Sequence, residues 1–221
     1  MRVLIFGATG FVGQGVLREC LLDTRVSEVV SVLRAPSGQR APKLTEIVLR
    51  EISKIEDVAD QLAGYDACFF CLGVSSVGMS KAKYKNITFD LTITVARVLA
   101  PLNPVMTFIY VTGGGTSRNG WQTWSRVKAL TEDILATLPF KAAYFFRPNF
   151  IQPLNGVVSK TRWYMAFYAV TRPLSPLLLK RFPNLATTTE RLGQAMINVA
   201  AAGYPVPVLQ SADINIAGTI H

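Results

Sequence analysis

Three glycines spaced over seven residues, Gly7-Ala-Thr-Gly10-Phe-Val-Gly13, are the first residues in the chain whose types and spacing point to chemistry. They follow the apolar run Val3 to Phe6 and precede the helical run Val16 to Leu22. Glycines so placed permit a tight turn, let the backbone approach a pyrophosphate, and allow a helix to pack closely on a strand. The helix N-terminus behind them offers unpaired N–H groups to phosphate. Gly7, Thr9, Gly10, Phe11, Val12 and Gly13 are therefore the expected floor of a dinucleotide site. The second apolar run ends Ser31-Val-Leu-Arg34, and no Asp or Glu occurs from Val29 to Thr45. A site for NAD normally offers a carboxylate to the ribose there. Arg34 instead suits a 2′-phosphate, so NADP(H) is the expected cofactor; the plainer reading is an exposed loop arginine.

Other reactive residue types are sparse. Cys20, Cys68 and Cys71 cannot build a disulfide framework. Cys68 and Cys71 lie three apart in an apolar run, on opposite faces of a strand, where they could neither pair nor chelate a metal easily. The single histidine, His221, is the last residue.

The elements that must position these residues alternate. Apolar, β-rich runs at Val3 to Phe6, Glu28 to Leu33, Thr45 to Leu49, Asp66 to Leu72, Met106 to Thr112 and Lys141 to Phe146 are separated by helical stretches. This predicts an α/β fold of Rossmann type, a doubly wound parallel sheet buried on both faces, with a small C-terminal helical lobe. Ser53 to Glu56 predicts a capping box before Ile55 to Leu62, and Thr187 to Glu190 another before Leu192 to Val199. Pro101 and Pro104 mark the end of a helix beginning near Tyr84. Residues 35 to 43 read as a surface loop. The 221 residues, half of them apolar, suit one domain, read as an NADP-binding core over 1–151 and a lid or substrate lobe over 152–221 that completes it. Val206 to Leu209 is expected to add a last strand.

With Gly7 to Gly13, Leu33-Arg34, Gly64-Tyr-Asp66, Cys71-Leu-Gly73 and Arg147-Pro148 in order, the chain resembles the atypical short-chain dehydrogenase/reductases over residues 1 to about 151. Within these it looks most like the NAD(P)-dependent epimerase/dehydratase-like and Tat-interacting-protein-like oxidoreductases. The resemblance implies that Leu72, Gly73 and Val74 lie along the cofactor, that Glu51 and Ile52 flank the adenine, and that Arg147, Pro148 and Asn149 border the nicotinamide. It also implies a catalytic Tyr and a Lys four residues later on one helix, with a Ser or Thr from the preceding strand end. The lysine is Lys128, but the tyrosine position holds Trp124. An indole N–H cannot donate a proton at neutral pH as a phenol can. Thr112 is the expected hydroxyl, with Thr116 and Ser117 as alternatives. Trp124 reads either as a core aromatic, followed by Val127 and Leu130 at helical spacing, or as a pocket wall.

The net charge of +9 is uneven: no acidic residue occurs between Asp133 and Glu190. Such a bias suits an anionic ligand or an acidic surface. No zinc-finger spacing or RNA-binding motif accompanies it, so no nucleic-acid partner is expected. Residues 160 to 182, with Trp163, Tyr164, Phe167 and Tyr168 among five basic residues, are read as a lid over the substrate or a segment making weak peripheral contact with anionic lipid. The start lacks a signal-peptide layout, which predicts a cytoplasmic protein. The leading functional expectation is an NADPH-dependent oxidoreductase of a small, apolar carbonyl or enone. In it Lys128 positions the ribose, Thr112 binds the substrate oxygen and Trp124 forms the wall. The rival is a non-catalytic NADP(H)-binding protein.

Overall fold

Alternate residues of the first strand, β1 (Arg2–Phe6), go to opposite sides: Val3 and Ile5 enter one buried cluster, Leu4 and Phe6 another. A strand needing two apolar faces must be covered on both, and the rest of the chain supplies that cover. The computed structural model describes residues 1–157 and 184–219. Six further strands join β1: β2 (Glu28–Leu33), β3 (Leu44–Val48), β4 (Ala67–Phe70), β5 (Thr107–Val111), β6 (Ala142–Arg147) and β9 (Val208–Gln210). Their order is β3-β2-β1-β4-β5-β6-β9 and every pairing is parallel. The chain runs outward from β1 through β2 to β3 and then returns to place β4 on the other side of β1. This reversal opens a crevice at the carboxyl ends of β1 and β4, where ligands of such sheets bind.

One face is covered by α1 (Phe11–Leu22), α5 (Thr189–Ala202) and α6 (Ser211–Ala217). The other is covered by a 3₁₀ segment (Ile52–Leu62), α3 (Leu91–Leu102) and α4 (Thr123–Leu135). On that second face Phe6, Phe70, Phe108 and Phe140 form a ladder of ring contacts 4.9–5.9 Å between centroids. Each such pair contributes about 1 kcal/mol beyond its burial. A short parallel pair, β7 (Phe150–Gln152) with β8 (Ala186–Thr188), lies beyond β6.

The expected strands all form, with ends shifted by a residue or two. Both capping boxes differ. Ser53 does not cap; the 3₁₀ segment starts from Glu51 without a side-chain cap, because Ile52 and Ile55, three apart, must both be buried. Thr188, the last residue of β8, and not Thr187, caps α5 by accepting the Arg191 N–H. The helix expected near Tyr84 begins at Lys81 as α2 (Lys81–Lys85), passes through a π-helical turn (Asn86–Asp90) and continues as α3. Residues 184–219 return to the core rather than standing apart: α5 buries Leu192, Met196 and Val199, and β9 is the seventh strand. The lid and membrane readings of residues 158–183 lie outside the described residues. Among the described residues no helix is long and apolar enough to cross a membrane.

Candidate cofactor and active site

The glycine turn lies at the carboxyl end of β1. Gly7 has φ +84°, a conformation L side chains rarely adopt, and a Cβ there would lie 2.8 Å from the Cys71 carbonyl carbon. A Cβ on Gly13 would lie 2.1 Å from the Gly7 oxygen, so helix and strand meet only because neither residue has a side chain. Gly10 donates to the Gly7 carbonyl at 2.9 Å, and no side chain caps α1. The start of α1 therefore points its positive dipole end at the turn, which favours an anionic ligand there. These features fit a pyrophosphate.

Beside the turn lies a cavity of about 780 Å³, lined among others by Thr9, Gln14, Arg18, Arg34, Ser37 and Gln39. Among the described residues no carboxylate lines it. Arg34 is exposed and makes no ion pair among the described residues. Arg18, which the sequence reading missed, stands one turn beyond Gln14 on the same helical face; that i, i+4 spacing was the available signal. Its guanidinium pairs with the buried Glu19. At the adenine side the structure separates the two expected residues. Ile52 is in the core, while Glu51 faces solvent and pairs with Lys54 at 3.4 Å. Leu72 packs against the core; Gly73 and Val74 are exposed just beyond β4.

The second half of the site is a buried polar network. Trp124, Lys128 and Glu132 lie four apart on α4. Glu132 accepts from the Thr112 hydroxyl at 2.8 Å and from Arg147 Nε at 3.0 Å, and pairs with the Arg147 guanidinium. Lys128 Nζ donates to the Thr112 carbonyl. Burial pushes the Lys128 ammonium down to about 8, partly opposed by the Glu132 charge. The hydroxyl of Thr112, expected to bind a substrate oxygen, is buried and engaged with Glu132 and the Phe146 carbonyl. Arg147 likewise turns inward to Glu132. Thr116 donates to Gly113 O at 2.8 Å, and Ser117 lies on the exposed loop. Glu132 was missed; its position one turn after Lys128 was the clue.

Trp124 is half-buried, donates its indole N–H to Gln122, and lies against Gly115. The core reading placed Val127 and Leu130 beneath it, yet Leu130 is exposed, and α4 buries Ser125, Ala129, Glu132 and Leu135 instead. Asn149 fills the space over Gly114, where a Cβ would lie 1.6 Å from its Oδ1. Its backbone N–H is held by the Ser211 hydroxyl, and the preceding Pro148 carbonyl accepts from Gly114. Cys20 and Cys71 pack in one cluster and Cys68 in the other; burial raises all three thiols, Cys71 to about 12, which leaves them inert at neutral pH. Among the described residues no group of His, Cys, Asp and Glu is arranged to hold a metal ion.

A parallel sheet of this order with a glycine turn between β1 and α1 defines a Rossmann-type protein. The family model described as NAD(P)H-binding matches residues 7–142, and the chain belongs to that family. A relative, the protein fmp52-2, mitochondrial, of Aspergillus terreus, is 29% identical over 157 residues, 66% of each chain. The chain thus matches just under two thirds of that relative's length. The fold is that of a Burkholderia thailandensis oxidoreductase of the short-chain dehydrogenase/reductase family, with TM-score 0.70 and 16% identity over 98% of this chain and 92% of that one. The Bordetella bronchiseptica enzyme WbmF, solved in complex with NAD⁺, has TM-score 0.64 and 17% identity over 97% and 76%. The expected resemblance to the atypical short-chain dehydrogenase/reductases is thereby supported, and the sheet is that of their fold.

Proposed function

We propose that this protein is an NADP(H)-dependent oxidoreductase that reduces a small, apolar carbonyl or enone. The observation that carries the cofactor choice is the cavity beside the glycine turn, which presents Arg34 and Arg18 and, among the described residues, no carboxylate. A guanidinium matches phosphate oxygens in a bidentate fork, whereas the ribose hydroxyls of NAD call for an acceptor there. Gly7 to Gly13 would hold the pyrophosphate, Leu72 to Val74 would lie along the cofactor, and Pro148 and Asn149 would border the nicotinamide. Reduced nicotinamide supplies a hydride when bound. Lys128 would grip the ribose hydroxyls, exchanging its bond to the Thr112 carbonyl for them, with Glu132 holding Thr112 and Arg147 in place around it. Trp124 would wall the substrate, and the proton for the carbonyl oxygen would come from water.

A second reading, an NADP(H)-binding protein without turnover, is favoured by one pair of observations: Trp124 stands at the resembled tyrosine position, and the Thr112 hydroxyl is engaged by Glu132. Titrating the protein with NADPH and NADH tests the cofactor choice. NADPH should bind more tightly, and Arg34→Ala should remove much of the difference, since a charge-assisted bond contributes about 1.5–3 kcal/mol. Equal curves for both cofactors would refute it. An anaerobic screen of carbonyl compounds, followed by nicotinamide absorbance, separates the two readings by whether NADPH is consumed.

A further inference from the structure

A second cavity, of about 470 Å³, opens beside Trp124 and is lined by Val77, Met79, Lys81, Tyr84 and Trp121 among others. Its walls come from the segment after β4, the start of α2, and the loop into α4. It is distinct from the cavity lined by Arg34 and adjoins the helix face that carries Lys128.

Three features define what would fit. The indole of Trp121 is 87% exposed and Val77 is 79% exposed. Large apolar groups left in water at the mouth of a cavity are surface that gains by being covered. The loop bearing Trp121 is nevertheless tied down: Arg126 donates to the Gly120 and Trp121 carbonyls at 2.6 and 2.9 Å, and the Ser125 hydroxyl donates to the Gly115 carbonyl at 2.5 Å. The exposed indole is therefore presented by a fixed backbone. Second, the walls are aromatic and sulfur-bearing, with Tyr84 buried at the base and its phenol raised by burial, so it stays neutral and offers no charge.

Third, the lining has one charge. Among the described residues Lys81 is the only ionic side chain lining the cavity, and no acidic one accompanies it. It forms no ion pair among the described residues, in contrast to Lys85 one turn later, which pairs with Asp90 at 2.7 Å. An unpaired ammonium at an aromatic cavity selects for a ligand that is flat and apolar over most of its surface and anionic at one end.

We infer that the cavity between Trp121, Trp124 and Lys81 is the substrate site, and that its ligand is a planar apolar carbonyl compound carrying a carboxylate that Lys81 receives. This rests on the oxidoreductase reading above and sharpens it, from a small apolar carbonyl to an anionic one. The aromatic body lies against the two indoles, and Lys81 sets which end enters.

The test uses the full chain saturated with NADPH and follows tryptophan fluorescence. Two probes of one shape and opposite character are titrated: 4-carboxybenzaldehyde, and its uncharged methyl ester. The carboxylate should bind about fivefold more tightly at low salt, the scale of one exposed charge pair, and the advantage should shrink as salt rises. Lys81→Met, at an exposed position that leaves the fold intact, should bring the two probes together; Lys81→Arg should keep them apart. Trp121→Phe should remove much of the quench. Equal binding of the two probes to the unaltered protein, or a preference untouched by Lys81→Met, would overturn the inference. Nicotinamide absorbance is read in the same samples. Charge-dependent binding without NADPH consumption leaves this ligand class standing and refutes turnover of these aldehydes, while consumption with no preference for the carboxylate refutes the ligand class alone.

Discussion

The two halves of the candidate site are built differently. Around β1, α1 and β2 the work is done by backbone: glycines that admit a close approach and a helix start that faces the turn, with Arg18 on α1 and Arg34 after β2 beside them. Around β5, α4 and β6 it is done by side chains tied to one another across three elements, with Glu132 joining Thr112 to Arg147 and with Lys128 held under the same loop. The second half is coupled, so altering one member alters the others.

The largest test of that difference is Glu132→Ala. It leaves the partly buried Arg147 guanidinium without its carboxylate and the Thr112 hydroxyl with the Phe146 carbonyl alone, and should lower the unfolding free energy by about 3 kcal/mol in urea titrations. A loss below about 1 kcal/mol would mean that the network is not a structural unit. Trp124→Tyr comes next. If the phenol missing from the resembled Tyr–Lys pair limits turnover, carbonyl reduction should rise by about a hundredfold or more with NADPH affinity unchanged. A folded, cofactor-binding variant that remains silent would favour the reading without turnover.

Gly13→Ala probes the backbone half. Its Cβ would meet the Gly7 carbonyl at 2.1 Å, and the required shift should weaken NADPH binding by about thirtyfold, the equivalent of roughly 2 kcal/mol of strain. Calorimetric titration reads this directly, and an unchanged affinity would show that turn and cofactor are not coupled. The last test is electrostatic. Lys128 titrates near 8 in the folded chain against 10.5 for the ordinary group. Between those values the unfolded state binds more protons, so this residue makes stability rise with pH over that window, by up to about 1.4 kcal/mol per unit. Lys128→Met should flatten that slope, and equal pH profiles for the two proteins would place Lys128 in water.

The sheet was legible because each core strand is a short apolar run with turn signals at its ends, and burial on both faces leaves little choice of class. The seventh strand, only Val208 to Gln210, was legible only in outline. The capping boxes were misread because local pattern competes with tertiary placement: burial of Ile52 and Ile55 set the start of the 3₁₀ segment, and the end of β8 at Thr188 set the cap of α5. Trp124 shows the same limit. Its spacing with Val127 and Leu130 suggested an apolar face, but α4 turns Ala129, Glu132 and Leu135 inward because Glu132 has partners there.

What the sequence by itself determined was the class of fold and the glycine turn, since φ above zero and the absence of a Cβ are properties of single residues that no distant contact can supply. It also determined the charge available near that turn, with Arg34 present and no carboxylate from Val29 to Thr45. Only the tertiary structure decided which hydroxyls are free, which cations are paired, and where the indoles lie. Thr112 and Glu132 are 20 residues apart and Arg147 another 15, and Lys81 reaches the cavity of Trp121 from a different element. Contacts of that separation depend on how strands order themselves and how helices rotate to bury their apolar surface, which is settled by the whole chain at once.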